Sequence, residues 1–125
     1  EKADAALVSV GKKIEGSRIL VLGLAYKKNV DDTRESPSLT IIDMLIKMGA
    51  DVEYSDPYLP IVPKTRKFDF ELKSIELNEE NIKTFDLTIL LTDHDDFDYQ
   101  LIKQAAELII DTRGRFHHSS KIHRA

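Results

Sequence analysis

The stretch from Arg18 to Gly49, RILVLGLAYKKNVDDTRESPSLTIIDMLIKMG, constrains the fold most, because it specifies a strand, a long loop and a helix in that order. Ile19, Leu20, Val21 and Leu22 form a continuous apolar run, the pattern of a strand covered on both faces, and Gly23 lets the backbone leave it in a tight turn. Ser36 followed by Pro37 is a helix start: a Ser hydroxyl accepts an orphan N–H, and proline loses no bond at the first helical position. Leu39 at the third helical position leaves the capping box incomplete. Leu39, Ile42, Leu45 and Ile46 share one face, which Ile41, Met44 and Met48 widen, so the helix is expected to be mostly buried and to end at Gly49.

Between strand and helix lie the twelve residues Leu24 to Glu35, long for a loop in a compact α/β unit and charged at Lys27, Lys28, Asp31, Asp32, Arg34 and Glu35. The reading is a ligand-binding loop, ordered at its ends and mobile around Lys28 to Asp31; the alternative is a solvated loop whose charges pair with one another.

Along the rest of the chain, Ala3 to Lys13 has helical spacing in Ala6, Leu7 and Val10, and Gly16-Ser17 turns into the first strand. Asp51 to Ser55 alternates as a second strand that Asp56-Pro57 stops. PYLPIVPK, with three prolines in seven residues, is expected to hold no regular element. A short edge strand is expected within Phe68 to Leu77, with Ser74 to Leu77 the favoured part, a helix capped by Asn78 over Glu79 to Phe85, a buried strand over Leu87 to Thr92, a helix over Phe97 to Glu107 and a final strand at Leu108 to Ile110. The segment from His117 to Ala125 reads as a polar, frayed tail. The organisation is thus 1–16 for the end of an incoming helix, 17–116 for one domain and 117–125 for the tail.

Strands alternating with helices at this spacing predict an α/β fold, a Rossmann-like parallel sheet with helices on both faces in a single domain. Ligands of such sheets sit outside the carboxyl ends of the strands, which gathers four distant pieces on one rim: the 24–35 loop, Asp56-Pro57, Thr92-Asp93-His94 and Asp111-Thr112-Arg113. Lys27 is a flexible point charge for a phosphate, whereas Arg34 and Arg113 can fork onto a phosphate or carboxylate. Asp31-Asp32 lacks the further oxygen ligands of a hard-metal site, so no metal is expected. His94 could act as a general base, but with no nucleophile nearby it reads as a polar rim residue.

The net charge of -4, without a basic stripe or interleaved aromatics, argues against nucleic acid as a partner. With no cysteine there is no disulfide, thiolate nucleophile or Cys-based metal site. No run reaches membrane-span length and the first residues lack a signal peptide's apolar core, so no membrane association is expected and the location reads as cytoplasmic. The missing initiator Met suggests a fragment. No G-x-G-x-x-G is present, because Tyr26 and Lys27 stand where approach to a pyrophosphate wants glycine.

The segment GLAYKKNVDDTRESPSL, with YSDPYLP and DTRGR collinear after it, resembles the carboxyl-terminal, UDP-binding domain of the UDP-glucose/GDP-mannose dehydrogenase family, most closely the branch acting on UDP-N-acetylhexosamines. The resemblance implies a domain of an NAD-dependent UDP-sugar 6-dehydrogenase, which oxidises a sugar C6 alcohol to a carboxylate through a thiol-bound intermediate. It implies Tyr26, Lys27 and Arg113 at the UDP-sugar and Arg34 at the NAD. Nucleophilic cysteine, catalytic lysine and glycine-rich NAD motif would belong to an amino-terminal domain of the same enzyme, leaving the isolated domain inactive. The helix at Ala3 to Lys13 would join the two halves and build a homodimer. The competing reading is a receiver-like phosphoacceptor signalling domain, since an acidic pair, Asp56 after the second strand and Thr92 after a later one fit that layout. Against it, the acidic pair lies eight residues beyond Gly23, and Arg113 stands where a lysine should follow the final strand.

Overall fold

A computed structural model describes residues 13–24, 37–62, 72–116 and 122–124. Strand β1 (Arg18–Leu22), helix α1 (Pro37–Lys47) and strand β2 (Asp51–Ser55) are followed by a small pair of strands, β3 (Ile61–Val62) and β4 (Leu72–Lys73). Then come helix α2 (Glu79–Ile82), strand β5 (Leu87–Leu90), helix α3 (Tyr99–Ala105), strand β6 (Ile109–Asp111) and strand β7 (Ile122–Arg124). The main sheet is parallel throughout in the order β2-β1-β5-β6-β7. The chain first winds outward from β1 to β2 and then crosses back to β5 on the other side of β1, so the switch point of the sheet lies between β1 and β5.

Both faces are covered, which explains why β1 is apolar at every inner position. Ile19 and Val21 join Ile42 and Leu45 of α1, with Val52, Tyr54, Leu87, Ile89 and Ile110, in one core. Leu20 and Leu22 point the other way, into a second core with Ile82 of α2, Ile102 of α3, Phe85, Leu90, Phe97 and Ile109. The expected Rossmann-like architecture with helices on both faces is therefore the observed one.

Helix α1 starts at Pro37, as the sequence predicts, and ends in a Schellman arrangement: the Gly49 N–H donates to Ile46 O at 3.0 Å and the Ala50 N–H to Leu45 O at 3.1 Å, with Gly49 at φ +95°. It is less buried than expected. Ile42 and Leu45 are buried, but Met44 and Met48 are exposed, because a helix on one layer of sheet covers only one stripe. Asn78 caps α2 through the Asn81 N–H at 2.8 Å, but α2 stops at Ile82, where turn bonds from Thr84 and Phe85 lead the chain into β5. Helix α3 starts two residues later than Phe97: Asp98 caps it, and Phe97 and Ile102 enter the second core in the manner of a hydrophobic staple.

Three further expectations are corrected. Ile61 and Val62, inside the proline-rich segment, pair antiparallel with Lys73 and Leu72, since a two-residue strand needs no N–H from its flanking prolines. The edge strand lies at Leu72–Lys73, inside the expected Phe68 to Leu77 window but ahead of its favoured part, Ser74 to Leu77, with Ser74 only bridging to Tyr54 of β2. Residues 122–124, expected in the frayed tail, form β7, where the sheet's edge offers free backbone groups and Ile122 gains burial in the second core. The expected helix at Ala3 to Lys13, apart from its last residue, and all but Leu24 of the 24–35 loop lie outside the described residues.

Candidate functional site

The carboxyl ends of β1, β2, β5 and β6 converge at the switch point. Gly23 closes β1 at φ +85°, and a Cβ there would meet Thr92 O at 2.5 Å, so the two segments touch backbone to backbone. The Gly23 N–H donates to Ser55 O at 3.0 Å and the Leu91 N–H to Leu22 O at 2.9 Å, completing the junction. The sequence between β1 and α1 holds no glycine besides Gly23, so it lacks the glycine-rich pattern of a dinucleotide cradle.

Two buried carboxylates shape the rim. Asp111, the last residue of β6, accepts from the N–H groups of Arg113 (2.9 Å), Gly114 (2.8 Å) and Phe116 (2.8 Å), folding the DTRGR segment around its own side chain. Asp56, directly after β2, accepts from the Tyr58 N–H on Oδ1 at 2.8 Å, and from the Leu24 N–H at 2.8 Å on Oδ2. The His94 Nε2 lies 2.9 Å from the same Oδ2. Burial alone would push the Asp56 carboxyl up, but the bonds from His94, Leu24 and Tyr58 outweigh it and hold Asp56 below the usual carboxylate range. Tyr54 responds oppositely: burial, and then the Asp56 charge, push its phenol up to about 12, while its hydroxyl donates to Leu59 O at 2.7 Å.

Arg113 reaches this rim. Its Nε donates to Leu91 O at 2.8 Å, tying the β6 turn to the segment after β5, and the Thr112 hydroxyl donates to Leu90 O beside it. Arg113 is exposed and pairs with no carboxylate among the described residues, since the Asp111 oxygens are taken up by backbone N–H groups. Asp93 instead pairs with Arg115, which also meets Asp95 at 3.2 Å and lies 4.4 Å over the Tyr99 ring. One arginine of DTRGR is thus neutralised in place, and the other holds its guanidinium at the rim with its terminal nitrogens unbonded to described residues.

Of the residues singled out in the sequence, Arg113, Asp56, Thr92, His94 and Asp111 come together; Tyr26, Lys27 and Arg34 lie outside the described residues. His94 is not the polar rim residue expected but fully buried, with Tyr58 at 4.9 Å and Phe97 at 5.6 Å between ring centroids. The structural parts of Asp56 and Asp111 had a signal in DPY and DTRG, where an Asp ending a strand accepts from the backbone two residues on; the partnership with His94 had none. Asp56 is 2% exposed with both oxygens engaged, which removes the accessible carboxylate that a receiver-like phosphoacceptor needs. No group of three or more metal-ligating side chains occurs among the described residues, and no described helix is long and apolar enough to cross a membrane.

Comparison with known proteins agrees with this fold. Residues 20–118 match the model of the UDP-glucose/GDP-mannose dehydrogenase family, UDP binding domain. Among curated relatives, UDP-N-acetyl-D-mannosamine dehydrogenase of Methanococcus vannielii is 36% identical over 114 residues, 85% of this chain and 25% of that protein. Among solved structures, UDP-D-ManNAc dehydrogenase of Pyrococcus horikoshii superposes with a TM-score of 0.72 at 25% identity, covering 96% of this chain and 28% of that one. NDP-N-acetyl-D-galactosaminuronic acid dehydrogenase of Methanosarcina mazei superposes with a TM-score of 0.69 at 32% identity, over 90% of this chain and 24% of that one. The chain therefore spans about a quarter of the length of the relatives it matches. By this match over most of its length, the chain belongs to the UDP-glucose/GDP-mannose dehydrogenase family and corresponds to its UDP binding domain.

Proposed function

We propose that this chain is the carboxyl-terminal UDP-sugar-binding domain of an NAD-dependent UDP-sugar 6-dehydrogenase, the enzyme that converts a sugar C6 alcohol to the uronate. The observation that carries the reading is Arg113: an exposed guanidinium beside the switch point, anchored through Nε and free of carboxylate partners among the described residues, supports a clamp for a diphosphate. Tyr26 and Lys27 complete the clamp from the loop after β1, and Arg34 reaches the NAD. That dinucleotide is held mainly by an amino-terminal domain of the same enzyme, a reading supported by the lack of a G-x-G-x-x-G motif in this chain. Hydride transfer and the thiol step need groups that this cysteine-free chain lacks, so the chain alone is inactive and works as part of a cytoplasmic homodimer.

The test is Arg113→Ala in the full-length enzyme. A charge-assisted hydrogen bond is worth about 1.5 to 3 kcal/mol, so the KM for UDP-sugar should rise roughly ten- to a hundredfold, with the thermal midpoint nearly unchanged. Arg113→Lys should recover only part, since an ammonium does not reproduce the planar fork. An unchanged KM in a normally folded variant would refute the clamp.

A further inference from the structure

We infer that Asp56 and His94 are positioning residues for the binding loop, acting through the backbone of Leu24 rather than on the ligand. The inference rests on the proposed UDP-binding function. The ladder of β1 runs out at Gly23, whose N–H still reaches Ser55 O; the next N–H, that of Leu24, is held by the Asp56 carboxylate instead. In sequence Leu24 stands two residues before Tyr26, so the Asp56 side chain fixes the backbone from which the Tyr26-Lys27 segment begins.

Asp56 is itself held from three sides. The Tyr58 N–H fixes Oδ1, and His94 Nε2 meets the same Oδ2 that receives Leu24. His94 is locked in turn: Tyr58 and Phe97 pack on its ring, and its carbonyl accepts from the Tyr99 hydroxyl at 2.6 Å. The Tyr58 hydroxyl donates to Asp96 Oδ2 at 2.9 Å, joining the segment after β2 to the one after β5. The origins of three rim segments, after β1, β2 and β5, therefore meet at one buried carboxylate–imidazole pair. An ionised Asp56 can only accept, so His94 must present Nε2–H to it, and a residue at 94 that keeps a donor there keeps the arrangement.

The test titrates UDP into the isotopically labelled 125-residue chain, following the amide spectrum so that affinity is read on folded molecules only. In the unsubstituted chain the Leu24 amide proton should exchange slowly and shift as UDP binds. Asp56→Asn, which must turn an NH2 group toward one of its donors, should weaken UDP at least about fivefold in the folded fraction. His94→Leu should do the same, and His94→Gln, which retains an N–H donor, should stay within about twofold of the unsubstituted chain. Rapid Leu24 exchange in the unsubstituted chain, or variants that lose stability while their folded fraction binds UDP normally, would overturn the positioning role and leave the binding reading standing. No UDP-induced shift in the unsubstituted chain would overturn both.

Discussion

Replacing Gly23 with alanine perturbs the junction on which the rim is built. The added carbon would sit 2.5 Å from Thr92 O, 2.6 Å from its Cβ and 2.9 Å from its Cα, and two of these are backbone atoms. The left-handed backbone at φ +85° adds about 1 to 2 kcal/mol for a residue with a side chain, and overpacking a tight site adds about 1 to 3 kcal/mol. The total is about 2 to 5 kcal/mol, a large share of the stability of a domain of this size. At about 2.1 cal/mol/K of unfolding entropy per residue, a 125-residue chain loses about 4 °C of thermal midpoint per kcal/mol, or about 8 to 19 °C here. Gly16→Ala is the control: φ is +83° but nothing lies within 4 Å, so only the backbone term of about 1 to 2 kcal/mol should appear. Urea unfolding of both variants measures the difference. Equal losses, or a loss under about 1 kcal/mol for Gly23→Ala, would refute the close approach to Thr92.

The Asp56 carboxyl, held below its ordinary value, contributes stability that is present above the unfolded carboxylate value of about 3.9 and lost as pH falls through the lower, folded value. The stability gap between the unsubstituted chain and Asp56→Asn, measured by urea unfolding, should therefore narrow as pH drops below about 4; a constant gap down to pH 2 contradicts this. Asn78→Ala should cost about 1 kcal/mol through loss of its bond to the Asn81 N–H, read in the same assay, and no measurable loss would mean that α2 is held by Ile82 alone.

The sequence made the central unit legible because its signals were local and redundant: an apolar tetrad, Ser-Pro at a helix start and Gly49 at its end. Strands β2, β5 and β6 were equally readable as short apolar or alternating runs closed by Asp or Thr. What escaped depended on distant partners. Ile122–Arg124 has too few apolar residues to announce a strand and becomes one because β6 leaves an edge open. Ile61–Val62 was masked by prolines, and the exposure of Met44 and Met48 follows from how far one helix can cover one layer of sheet. At the rim, the gathering of four strand ends followed from the parallel topology alone, and Arg113 from its place after the last apolar strand. The Asp56–His94 pair spans 38 residues of sequence and leaves no periodic or motif trace.

We propose that the diphosphate of a UDP-sugar sits outside the carboxyl ends of β1, β5 and β6 with Arg113 as its anchor. A crystal structure of the chain grown with saturating UDP tests this most directly. Phosphate oxygens are expected within hydrogen-bonding distance, about 2.7 to 2.9 Å, of the Arg113 guanidinium, at the carboxyl ends of these strands. UDP bound on another face, or bound at these strand ends with its phosphates turned away from Arg113, would refute the anchor.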